Sequence, residues 1–63
     1  MNRNRFDDDA RVIVYNTNDP KVLDKTGEIV GLYAKTELCD FYYVLLDGED
    51  NAMILSELIL RPK

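Results

Sequence analysis

The 63-residue chain contains no histidine, no tryptophan and only one cysteine. Without imidazole it lacks both the usual general base at neutral pH and the commonest metal ligand. The lone Cys39 can form no disulfide within the chain, whereas a secreted domain this small ordinarily needs several, so a reducing, cytoplasmic setting is expected. With no imidazole partner, its thiol reads as a small buried or half-buried group rather than a nucleophile. The three glycines make no phosphate-cradling loop, because Gly27-Glu28-Ile29-Val30-Gly31 reads as strand and no helix follows it. Long hydrophobic runs are also missing. The longest, Phe41 to Leu46, falls far short of the ~20 residues a membrane helix needs. Met1 to Phe6 is basic but leads into Asp7-Asp8-Asp9, so no signal peptide is read there. Cations are scarce: eight Lys and Arg stand against twelve Asp and Glu, a net charge of −4. That balance works against non-specific association with nucleic acid or an anionic membrane. These absences leave no cofactor implied and an enzyme hard to build.

What is present is apolar and β-branched. Hydrophobic residues make up 46% of the chain, too many for a disordered segment, and the length allows one domain. The first nine residues read as a mobile polar arm, with residues 10–63 as the folded domain. The three aspartates of the arm read as a solvated charge run rather than a cation site. Ala10 to Asn16 reads as a strand. Asn16 to Lys25 is dense in turn formers, and its Val22 and Leu23 are expected to fold the loop back over one end of the core. Thr26 to Ala34 is a second strand, with Gly31 marking a bulge or bend. Lys35 to Asp40 is a connection. Phe41 to Asp47 is the strongest strand, stopped by Asp47-Gly48, a hairpin signal. Asp47, Glu49 and Asp50 in that turn are spaced as calcium ligands can be, but acidic tips also serve solubility and turn geometry. Ala52 to Leu55 returns as a fourth strand. Ser56-Glu57-Leu58 reads as one helical turn capped by Ser56, followed by a short strand, Ile59 to Arg61, whose pairing Pro62 ends. The alternative, an amphipathic helix over 52–61, would spread Ile54 and Ile59 around its circumference.

This order resembles that of an SH3-like small barrel. The resemblance is carried by Thr26-Gly27-Glu28-Ile29-Val30-Gly31, by Tyr42-Tyr43-Val44-Leu45-Leu46-Asp47-Gly48 and by Leu55-Ser56-Glu57-Leu58-Ile59-Leu60. These segments are similar to the pattern shared by KOW-type modules, the stromal barrel subunit of photosystem I and small barrels carried by phages and prophages. The resemblance implies an all-β, five-stranded barrel with one short helical turn before the last strand. It puts Tyr42, Val44 and Leu46 inside, with Ile29, Leu55, Leu58, Leu60 and either Val12 and Val14 or Ile13 and Tyr15.

Such barrels serve many tasks, so function has to come from a site. Strand alternation leaves Phe41, Tyr43 and Leu45 on the face turned away from the core, with Val30, Leu32 and Ile54 alongside if their strands alternate normally. Soluble monomers rarely expose large apolar patches. Either the long loop or the arm, through Phe6, covers this face, or a partner does. The expected binding surface is Tyr33, Phe41, Tyr43 and Leu45, with Lys35, Glu37 and Asp40 as a polar rim. The partner class expected is a protein, in an accessory or phage-modulator role, or a second copy of the chain; no membrane is implied. Nucleic-acid binding is the alternative, with Tyr33, Phe41 and Tyr43 stacking bases and Lys21, Lys25 and Lys35 flanking them. A groove for proline-rich or methyl-lysine peptides lacks its usual tryptophan.

Overall fold

The computed structural model describes residues 5–63. Five strands, β1 (Arg11–Val14), β2 (Thr26–Lys35), β3 (Asp40–Leu46), β4 (Met53–Ser56) and β5 (Leu60–Pro62), form one antiparallel sheet in the order β4-β3-β2-β1-β5. One 310 turn, Glu57–Ile59, separates β4 from β5. The chain is therefore all-β, and the helix alternative over 52–61 is displaced by strand, turn and strand. Among the described residues no helix is long and apolar enough to cross a membrane.

Alternation on β3 sets the core. Tyr42, Val44 and Leu46 are buried, while Phe41, Tyr43 and Leu45 take the other face. On β1 the buried pair is Val12 and Val14, not Ile13 and Tyr15. Ile29 and Leu60 complete the inner layer, and Leu55 packs against it in part. Leu58 departs from expectation: it is 57% exposed, and Ile59 packs on the core instead. Ser56 does cap the turn, accepting from the Leu58 N–H at 3.1 Å. A 310 turn repeats every three residues, so only part of it faces inward. The residue so placed here is Ile59, whose carbonyl also accepts from the Tyr15 N–H at 2.7 Å.

The N-terminal segment holds a second difference. Phe6 does not lie over the outer face; it is buried in the core, edge-on to Tyr42 with ring centroids 5.6 Å apart. Its backbone N–H donates to the Tyr42 hydroxyl at 3.1 Å, and the Asp9 N–H donates to the Ile29 carbonyl at 2.7 Å. An aromatic in a polar stretch repays the ordering of its neighbours because a small domain has little other apolar surface to bury. From the long loop, Val22 closes one end of the core, whereas Leu23 stays exposed. Pairing also runs past Pro62, which sits opposite Val12, and the Lys63 N–H donates to the Arg11 carbonyl. A proline is tolerated there because β5 is an edge strand, with no further neighbour awaiting its missing N–H.

The β3–β4 turn is clasped to the other strands by Asp47. Its Oδ2 accepts from Arg11 Nη2 at 2.7 Å and from the Thr26 hydroxyl at 2.5 Å, and its N–H donates to the Thr26 carbonyl. The Arg11 bond, then the Thr26 bond, hold its carboxyl down at about 2, below the ordinary 3.8. The folded chain thus binds this proton less readily than the unfolded chain, so the clasp stabilises fully above about pH 4 and fades as the pH falls toward 2. Asp47→Asn is expected to lower the urea midpoint at neutral pH and to match the parent near pH 2. A gap of equal size at both ends of that range would remove the clasp from the account of stability.

Candidate outer-face docking surface

Two irregularities in β2 shape its outer face. The pairing with β3 shifts between Ile29 and Gly31 and again between Leu32 and Ala34, so Val30 and Tyr33 are each an extra residue with no partner opposite. A bulge turns an extra residue out of the ladder and bends the strand. Val30 is 52% exposed and Tyr33 51% exposed. The first bulge lies beside Gly31, as the glycine suggests; the second has no glycine to announce it. The first reverses the simple alternation at Gly31 and Leu32, and the second restores it from Ala34 on. Leu32, expected outside, sits opposite Tyr42 and packs against the core, while Tyr33 faces out.

The predicted residues come together on one face. Tyr33 and Tyr43 meet edge to face with centroids 5.3 Å apart, a favourable geometry for two rings with positive edges and negative faces. Tyr43 lies opposite Gly31 on one side and Ile54 on the other. Tyr43 is 39% and Ile54 46% exposed, while Phe41 and Leu45 are half-buried and serve more as the base of the patch. Neither the long loop nor Phe6 covers this face. Leu38, in the β2–β3 connection, was not singled out from sequence, yet it is 90% exposed. Its turn is held by Thr36, whose hydroxyl donates to the Cys39 carbonyl at 2.8 Å and accepts from the Leu38 and Cys39 N–H groups. A lone leucine within the polar stretch Lys35 to Asp40 was the available signal.

Asp40, expected on the polar rim, is buried. It shares the inward parity of Tyr42 and ends a polar chain: Lys35 Nζ donates to both carboxylate oxygens at 3.1 Å, and the Tyr42 hydroxyl donates at 3.0 Å. Burial pushes this carboxyl up, but the Lys35 and Tyr42 bonds and the lysine charge outweigh it and leave it below the ordinary value. The Asp40 N–H donates to Glu57 Oε1 at 2.5 Å, and Glu57 also faces Arg5 at 3.8 Å. Buried Cys39 has its sulfur 3.3 Å from the Ser56 hydroxyl. These contacts fasten the 310 turn and the N-terminal segment to β3; they are structural.

Lys21 and Lys25 lie at the other end of β2. They line a groove of ≈ 340 Å³ with Val22, Leu46, Asp47, Glu49 and Met53. At about 3.3 Å per residue, Lys25 is roughly 25 Å along the strand from Tyr33. They therefore do not flank the aromatic pair, and Lys35 is engaged with Asp40. Among the described residues no cluster of three or more carboxylate or cysteine side chains is arranged to hold a metal ion. No family model matches the chain, and no curated protein or solved structure is significantly similar to it.

Proposed function

We propose that this chain is a non-catalytic SH3-like small barrel that docks onto another protein through the outer face of β2, β3 and β4. The strand order and the single 310 turn before the last strand support the SH3-like assignment, as do the motifs of the sequence. The observation that carries the docking role is the ejection of Val30 and Tyr33 by two bulges onto a face already bearing Tyr43 and Ile54. Large apolar side chains gathered on one exposed face are uncommon on monomers and mark interaction surfaces. Paired tyrosines on strands make suitable anchors, since they present large amphipathic area with little rotamer entropy to lose. Leu38, exposed on a turn held by Thr36, is a further apolar side chain presented in a preformed conformation. An accessory subunit or a phage-encoded modulator within a cytoplasmic complex suits such a surface. Binding to RNA or DNA is less well supported, because the lysines lie away from the rings and the chain carries a net charge of −4.

The experiment is affinity capture from host lysate with nuclease, using the parent chain and a Tyr33→Ser, Tyr43→Ser variant. Both rings are partly in water, so the double variant is expected to lose about 1–2 kcal/mol, roughly 5–15 °C in melting temperature, and to stay folded at 25 °C. Capture of one protein is expected to fall about tenfold or more. Undiminished capture by the variant would remove this face from the proposal, and loss of all partners on nuclease treatment of the parent would favour nucleic acid.

A further inference from the structure

The strand order leaves two edges, β4 and β5, and the sequence treats them oppositely. The β5 edge carries Arg61 and Pro62 and is followed by Lys63, devices that stop another chain from pairing there. The β4 edge reads Met53-Ile54-Leu55-Ser56: no charge, no proline and no bulge in its pairing with β3. Among the described residues β3 is the strand that β4 pairs with, so a row of backbone donors and acceptors stands ready along its other side. This row adjoins the exposed face, for Ile54 lies directly opposite Tyr43.

We infer that the β4 edge takes an extended, basic segment of a partner protein as a sixth strand. The inference rests on the protein-docking reading above and names what docks. Main-chain bonds along β4 would supply affinity, and alternate side chains of the added strand would extend the Tyr43–Ile54 stripe. Charge selects the occupant. Glu49 and Asp50 precede the strand, and among the described residues neither is in an ion pair; Glu57, which follows it, is already met by Arg5 and the Asp40 N–H, so the charge that selects the occupant sits at the Glu49–Asp50 end. The lysines near Met53, Lys21 and Lys25, share their groove with Asp47 and Glu49. A second copy of the chain fits less well. Two-fold antiparallel pairing that keeps both outer faces on one side sets Ile54 against Ile54, or Met53 or Leu55 against its own copy. The Met53 register sets Glu49 of one copy opposite Glu57 of the other, and the Ile54 register brings Asp50 to the position beside Glu57. The Leu55 register sets Glu49 opposite Arg61 instead, but in all three the chains each carry −4.

The probe is a capped hexapeptide of alternating valine and threonine with a lysine at each end, titrated into the full isotope-labelled chain. Expected is at least tenfold slower hydrogen exchange at β4 amides with β5 amides unchanged, binding that weakens with salt, and tenfold weaker binding when the lysines are replaced by glutamates. The same peptide N-methylated at alternate residues keeps its side chains but cannot extend a sheet, and is expected not to bind. No change at β4, equal binding by the N-methylated peptide, or equal binding by the glutamate peptide would each overturn the edge assignment. A concentration-dependent dimer with β4 amides already protected would replace the basic segment by a second copy. Capture that depends on Tyr33 and Tyr43 while β4 ignores the peptide would leave the docking face standing and the added strand refuted.

Discussion

Val44→Asp is expected to leave the chain unfolded at neutral pH. Val44 has no exposed surface, lies opposite Ile29 on one side and Met53 on the other, and sits between Tyr42 and Leu46 on the buried face. The substitution forfeits about 1.5–3 kcal/mol of side-chain burial. The new carboxyl has no partner, so it must either stay ionised in the core or take up a proton. Protonation of a group with an ordinary value near 4 costs about 4 kcal/mol at pH 7. The sum is comparable with the whole stability of a chain this size, about 3–9 kcal/mol. Val44→Ala, which removes the apolar term without adding charge, is expected to cost only about 2–3 kcal/mol and to keep a cooperative urea transition. The aspartate defect should ease as pH falls toward 4, because its folded-state value is raised and the folded form gains by keeping the proton. A Val44→Asp protein with the parent's urea midpoint would show that the two faces of β3 are exchanged.

The second large effect is a contrast between two glycines of the same strand. A Cβ on Gly27 would stand 2.5 Å from the Leu45 carbonyl oxygen and 2.8 Å from the Leu46 Cα. Both are backbone atoms, and Gly27 is paired on both sides, with Val12 and with Leu46. No side-chain rotation relieves the clash, so β2 and β3 must move apart; Gly27→Ala is expected to cost about 3 kcal/mol. Nothing lies within 4 Å of a Cβ on Gly31, and its φ is not positive. Gly31→Ala is therefore expected to be neutral or to stabilise by about 0.4–1 kcal/mol, through the lower entropy of the unfolded chain. Urea melts of the two variants side by side decide the matter, and a Gly27→Ala loss no larger than the Gly31→Ala change would refute the close approach. Because Gly31 lies opposite Tyr43, the same pair asks whether the docking face tolerates added bulk where the sheet core does not.

Strand content and the sorting of β3 into two faces were legible along the chain because both are local, and the resemblance to the SH3-like pattern told which face is inside. Alternation over Phe41 to Leu46 has period two, so knowing that Tyr42 is inside places Val44 and Leu46 as well. Gly48, at φ +86°, stops the strand with a residue suited to that conformation. Ser56 signals its turn because a hydroxyl can satisfy an N–H two residues on. The outward set Phe41, Tyr43 and Leu45 follows from the same parity, and so much of the candidate face was readable.

What the chain did not announce depends on contacts between distant segments. The first bulge of β2 turns Leu32 inward; the second, which has no glycine, leaves Tyr33 without a partner opposite and returns Lys35 to the inward side opposite Asp40. Phe6 lies thirty-six positions from the Tyr42 hydroxyl that its backbone meets, so no local pattern could seat it in the core. Asp40 looked like a surface charge until parity buried it and Lys35 with Tyr42 compensated it. Composition and period therefore determined the strands, their order along the chain and which residues of β3 share a face, since those are properties of neighbouring residues; which of the two apolar faces is inside came from the resemblance to the SH3-like pattern. Tertiary structure decided parity between the bulges, the partners of the buried polar groups and, among the described residues, the openness of the β4 edge, because each depends on which backbone or side chain arrives from elsewhere in the fold.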